Sequence, residues 1–264
     1  MLNAYGGSMT DGVSESREAA TVVILRDCPG SAPEILMMER ASSMAFAAGA
    51  LVFPGGALDA GDHALATAIG GQLALDEAAA RIAAIRETLE ESGLAIAFTR
   101  PVEADRIVAM RRALAEGMGF GEVLNVHGLE LALDALVPFA RWQPAPFEMA
   151  RRVFDTRFYL ARAPEGQVAS VDATENVRLF WSGAADTLAY CDRGEARIVF
   201  PTRRNLERLA QFGSYGALAA HAWSIPVEKV TPWFEDRDGE RHLCIPAHLG
   251  YPVTSESIGT VRRG

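Results

Sequence analysis

Apolar residues along this chain follow two rhythms. Short, nearly unbroken runs rich in β-branched residues mark strands, and longer stretches with apolar positions three and four apart mark helices. "ATVVILRD" (20–27) and "EILMMER" (34–40) read as buried strands joined by the turn-rich "CPGSAP". "GALVFPGG" (49–56) reads as a short strand stopped by Pro54, Gly55 and Gly56. The rhythm then lengthens. "DEAAARIAAIRETLEES" (76–92) predicts a helix, with Asp76 capping its start and Gly93 closing its end in the left-handed conformation. "LAIAF" (94–98) predicts the strand that follows. Residues 101–150 change character: "VEADRIVAMRRALAEGM" and "LELALDAL" look helical and "RWQPAPFEM" is a proline-broken connection, so the region is expected to be a helical insertion. "RRVFDTRFYLARA" (151–163) and "ENVRLFW" (175–181) return to strand character. "GAADTLAYCDR" and "PTRRNLERLAQF" predict a C-terminal helical extension over about 184–222, with Pro201 in the first turn of the second helix. Strands interleaved with helices favour an α/β or α+β sandwich. The polar "MLNAYGGSMTDGVSESREAA" at the start suggests a mobile leader over 1–18 ahead of one domain over 19–264.

The helix at 76–92 is locally unfavourable at its end. With Glu87 at zero on a helical wheel, Glu90 falls at about −60° and Glu91 at about +40°, so the three carboxylates share a face. Ala78, Ile82, Ile85 and Leu89 fall on the opposite face, which predicts packing on a core. Ala80, Ala83 and Ala84 lie on the acidic side and are expected to leave room for something to approach. Like charges three and four apart cost roughly 0.2–0.5 kcal/mol per pair. Acids in a last turn oppose the helix dipole by about 0.3–1 kcal/mol each at exposed sites. A divalent cation would turn that repulsion into shared coordination, and clustered carboxylates suit magnesium or manganese. The bland alternative is a solvated acidic patch beside Arg81 and Arg86.

The chain has 264 residues, about half of them hydrophobic, with a net charge of −9. That balance argues against a broad surface for a nucleic acid polymer. Lys229 is the only lysine. Cys28, Cys191 and Cys244 show no CxxC or zinc-like spacing and read as reduced thiols of a cytoplasmic protein. No apolar run approaches the ~18 residues of a membrane span, so no membrane partner is expected.

"RETLEESGL" (86–94) has the residue order arginine, glutamate, two further glutamates and a glycine that resembles the core of the Nudix box, and "VFPGG" (52–56) matches the strand and glycine turn with which such boxes begin. Thr88 stands in for a usual apolar residue. The chain therefore resembles the Nudix hydrolase superfamily, and the resemblance covers roughly residues 20–182. Ala78 stands where the box normally carries a further glutamate, and about residues 57–75 interrupt it; Glu77 or Asp62 are the candidates to supply the missing acid. The interrupted box, with "DTRFYLARAPEGQ" and "FPTRRNLERLA", resembles the branch of the peroxisomal coenzyme A diphosphatase and its bacterial relatives. Gly49, Phe53, Pro54, Gly55, Gly56 and Arg40 also fit a motif of coenzyme A-cleaving members, whereas Ala41 and Ala45 depart from it.

The resemblance implies a mixed β-sheet sandwiched between helices and a hydrolase of nucleoside diphosphates linked to another group, coenzyme A and acyl-coenzyme A being candidates. It implies that Glu87, Glu90, Glu91 and the Gly55 carbonyl ligate Mg2+ or Mn2+ and that Arg86 orients the acids. An acid outside the box would assist; Glu175 is the candidate, with Asp155 behind it, though either reads equally well as an ordinary loop or strand-edge acid. Arg40, Gly55 and Gly56 are candidate substrate contacts, and the partner is a small nucleotide-type molecule. Trp142 reads as core first and as a base-stacking residue second. A homodimer is expected by analogy. Two other classes stay open: a Nudix-fold sensor that binds without cleaving, and a structural protein with an acidic face, which leaves the glycine turn unexplained.

Overall fold

The computed structural model describes residues 16–41, 49–143, 153–171 and 176–261. Its centre is strand β1 (Arg17–Arg26). This strand pairs antiparallel with β2 (Glu34–Arg40) and β4 (Gly55–Ala57) and parallel with β6 (Phe154–Arg162). β3 (Ala50–Val52) lies beyond β2, and β5 (Val137–Trp142) lies beyond β6. β7 (Asn176–Gly183) runs along β2, and the two-residue strands β8 (Arg197–Ile198) and β9 (Lys229–Val230) extend the sheet to nine strands among the described residues. A separate three-stranded sheet holds β10 (Trp233–Arg237), β11 (Glu240–Cys244) and β12 (Ser255–Ser257).

β1 reads as a continuous apolar run because both of its faces are covered. Ala20, Val22 and Ile24 face one buried cluster, and Val23 and Leu25 face another. The first cluster is filled by α2 (Leu75–Ser92) with α1 (Ala60–Ile69), α3 (Ala104–Ala115) and α4 (Phe120–His127). The second is filled by α5 (Ala184–Asp192), α6 (Phe200–Leu209) and α7 (Tyr215–Ser224). A last short helix, α8 (Ile258–Val261), follows β12. The mixed sheet between two helical layers is the α/β sandwich expected from the sequence.

Several expectations need correction. Residues 94–98 do not form a strand. Gly93 ends α2 at φ +67, Ala97 takes a positive φ of 54, and Ala95 donates to the Gln167 side chain at 2.8 Å, so the backbone leaves the ladder after one isolated bridge, Phe98 to Leu131. Asp76 does not cap α2: the cap position is Ala74, and the Asp76 carboxylate instead meets Arg157 Nη2 at 2.6 Å. "LELALDAL" holds only a 3-10 turn, Leu133–Ala135, before β5 begins, so the 101–150 region contributes a strand as well as helices. The insertion at 57–75 carries α1, held by a reciprocal capping box between Asp59 and Asp62. Arg17 and Glu18, placed in the leader by the sequence, belong to β1.

Candidate active site

α2 is buried along most of its length, and at its acidic end Glu87 and Glu90 stay partly exposed. Ala78, Ala79, Ala80, Ala83 and Ala84 are all fully buried, so the alanine row admits the protein's own neighbours, not a ligand. The helix lies against β1, β4 and α1. Its last turn is closed from outside by Arg111 of α3, which donates to the Glu90 carbonyl from Nη2 at 2.7 Å and from Nε at 3.2 Å. That places a guanidinium where the dipole is negative and offsets the acids there.

The glycine turn fits around the carboxylates. Gly55 sits at φ +154, and a Cβ there would overlap the Ala20 carbonyl and Thr21 Cα. Its N–H donates to Glu91 Oε2 at 2.8 Å. A Cβ on Gly56 would run into the Glu87 carboxylate. The strand can pass this close to the helix only without side chains.

Arg86 is buried and forms the hinge of the site. Nε donates to Asp62 Oδ1 at 3.0 Å and Nη2 to Asp62 Oδ2 at 2.8 Å. Nη1 donates to Glu87 Oε1 at 2.9 Å and to Glu90 Oε1 at 3.4 Å. Burial works against its charge, but Asp62, Glu87 and Glu90 hold the guanidinium well above its ordinary range. Glu77, the other candidate for the missing acid, pairs with Arg81 at 2.8 Å and Arg157 at 3.6 Å instead.

Glu91 is only 5 % exposed. Burial pushes its carboxyl up to about 8; the Gly55 N–H works downward and the Glu87 charge upward. Asn176 donates to its Oε1 at 3.4 Å, and the Arg40 charge also favours its ionised form. Arg40 and Asn176 are register partners on β2 and β7, beside a bulge. Burial likewise pushes Glu87 up to about 7 and raises Glu90, against the pull of Arg86.

Thus Arg86, Glu87, Glu90, Glu91, Gly55 and Gly56 come together, with Arg40 close enough for its charge to act on Glu91. Asp155 is engaged elsewhere, by Arg141 at 2.7 Å and Lys229 at 2.6 Å across β5, β6 and β9. Glu175 lies outside the described residues. Trp142 is core: its ring is buried against Phe200 and Tyr251, and its Nε1 donates to the Tyr251 hydroxyl at 3.0 Å. Sequence reasoning missed Arg111 and Asn176, because each acts through a fold contact far along the chain.

The donor chemistry fits a hard divalent cation: the three side chains offer only carboxylate oxygens, and burial with like charge nearby disfavours their ionised form. Among the described residues, however, no three or more His, Cys, Asp and Glu side chains stand ready-gathered for a metal; protein donors hold the acids.

No family model matches the chain. Among solved structures, it resembles the NUDIX hydrolase from Alicyclobacillus acidocaldarius at 27% identity, over 79% of this chain and 97% of that one, with a TM-score of 0.68. It is more distantly similar to the MutT protein from Methanosarcina mazei Go1, at 13% identity over 75% of this chain and 96% of that one, with a TM-score of 0.43. The NUDIX domain of Shewanella oneidensis NrtR, solved in complex with ADP ribose, matches at 14% identity over 74% of this chain and 86% of that one, with a TM-score of 0.41. The Alicyclobacillus likeness, with the Nudix-like sequence and fold, supports a hydrolase that acts on phosphoric anhydride bonds.

Proposed function

We propose that the chain is a metal-dependent pyrophosphohydrolase that cleaves a nucleoside diphosphate linked to another group. The observation that carries this reading is the half-buried Glu87 and the buried Glu91 under the Gly55–Gly56 turn, beside an arginine that touches both Glu87 and Glu90. A chain selected for stability alone would not bury like charges at the negative end of a helix. Glu87, Glu90, Glu91 and the Gly55 carbonyl would hold Mg2+ or Mn2+. Bound there, the ion would neutralise charge on the pyrophosphate and lower the pKa of a bound water. Arg86 fixes the side-chain directions of Glu87 and Glu90. Arg40 supplies positive charge on the Glu91 side and is the candidate contact for a substrate phosphate. Glu175 follows directly before Asn176, whose amide reaches Glu91, and it keeps its candidacy as the assisting acid on that ground.

Coenzyme A or acyl-coenzyme A is the substrate proposed first, on the strength of the glycine-turn motif around Arg40, Gly49 and Phe53. A second reading, a Nudix-fold module that binds without cleaving, draws on one observation: the three acids already have protein partners. One assay separates the two. The protein is incubated with Mg2+ or Mn2+ and coenzyme A, acyl-coenzyme A, NADH, ADP-ribose and nucleotide sugars, and released monophosphates are measured. Turnover that falls at least a hundredfold in Glu91→Gln supports hydrolysis; equal rates in the two proteins, or tight binding with no product from any substrate, contradict it.

A further inference from the structure

The Nudix-like box in this chain lacks an acid at Ala78, yet the Arg86 guanidinium is fully engaged. Its partner is Asp62, contributed by the inserted helix α1. Asp62 is 1 % exposed. Each of its two oxygens takes a bond from Arg86, and Oδ2 also accepts from the Asp59 N–H at 3.0 Å. The Asp62 N–H returns a bond to Asp59 Oδ1 at 2.8 Å. The carboxylate is therefore fixed from both ends: by the first turn of its own helix and by the bidentate fork of the arginine. The remaining edge of that fork, Nη1, reaches Glu87 and Glu90, and Nη2 also reaches the Ala57 carbonyl at 3.2 Å.

We infer that Asp62 is a positioning residue for the site: the insertion supplies, from outside the helix, the acid that holds Arg86 in place and thereby sets Glu87 and Glu90. The inference rests on the metal-binding half of the proposed function. An ion pair that only docked α1 onto α2 would have no reason to use the guanidinium whose other edge orients the acids. With Asp62 neutralised, Arg86 loses its bidentate ion pair; the charges left beside it are Glu87 and Glu90, with Asp59 at 3.8 Å, and its pull on the two glutamates strengthens. The acids then release less readily to a cation.

The test measures free Mn2+ by electron paramagnetic resonance, without substrate, for wild type, Asp62→Asn, Arg86→Gln and the double variant. Ala66→Gly serves as the control; it weakens α1 from within its buried face and changes no charge. Melting temperatures are recorded in parallel, and kcat and KM wherever the substrate panel gives turnover. Asp62→Asn is expected to weaken Mn2+ binding at least tenfold and, with turnover, to lower kcat tenfold with KM within twofold. Added to Arg86→Gln it should change nothing further. Wild-type affinity in Asp62→Asn, an equal loss in Ala66→Gly, or an additive loss in the double variant would overturn the inference. Should Asp62→Asn fail to fold because a buried ion pair between α1 and α2 is broken, the comparison of Arg86→Gln with the double variant decides alone: equal affinities support the inference and a further loss overturns it. A wild type that binds Mn2+ but turns over nothing contradicts hydrolysis while leaving the binding comparison decisive. A wild type that binds no Mn2+ overturns both.

Discussion

At the scale of single residues, two neighbouring glycines answer to different neighbours. A methyl group on Gly56 meets the Glu87 carboxylate, the end of a side chain that can turn away; a methyl group on Gly55 meets backbone of β1, which cannot. Gly56→Ala is therefore expected to fold with a melting temperature within a few degrees of wild type and to lose at least tenfold in turnover. Gly55→Ala is expected to lose stability itself, by about 1–3 kcal/mol, from strain at a positive φ and the backbone overlap. Urea unfolding of both variants, set beside their rates, checks the split; a Gly56→Ala enzyme with wild-type rate would contradict it. The sequence shows the glycines and the order of the acids, because both are local. It does not show which glycine makes room for which carboxylate, since that depends on how closely β4 passes α2.

At the scale of the element, α2 is the most legible part of the chain. Its start and end lie within one or two residues of the sequence boundaries, and Gly93 takes the left-handed conformation. Its environment is not legible. The wheel separates an apolar face from an acidic one, yet small alanines on the acidic side are as buried as the isoleucines. Alanine is compatible with either setting, so the pattern carries no signal there. The same holds for Arg111, one arginine among several in "ADRIVAMRRALA", which the fold alone brings to the Glu90 carbonyl. Arg111→Ala should expose that carbonyl and remove the cation at the helix end. A loss of about 1 kcal/mol is expected, with faster amide exchange in the last turn of α2 than in its first. Uniform exchange along the helix would contradict this role.

At the scale of the whole molecule, alternating strands and helices were enough to foresee a layered sandwich, because β1 and β2 must be covered on both faces. Strand β5 was hidden: "VPFARW" is short, opens with a proline after its first residue, and earns its place only by pairing with β6 and β9. That edge is tied by Asp155 between Arg141 and Lys229. Burial works to raise the Asp155 carboxyl, but the two cations outweigh it and hold it below the usual carboxylate range. A depressed folded-state pKa means that the pair stabilises the fold at pH above about 4, the unfolded value. The contribution is lost as pH falls through the lower folded value. Asp155→Asn should thus melt earlier than wild type at neutral pH and converge with it as the pH falls through the lowered folded-state value. A constant gap across the acid range would contradict the assignment.

The most direct measurement of the central claim is a crystal grown with Mn2+ and a non-hydrolysable nucleoside diphosphate, read by anomalous scattering. The expected result is a manganese peak against the carboxylates of Glu87, Glu90 and Glu91, with the diphosphate on its far side. The contradicting result is ordered diphosphate with no such peak, and the three carboxylates still held by Arg86, Gly55 and Asn176.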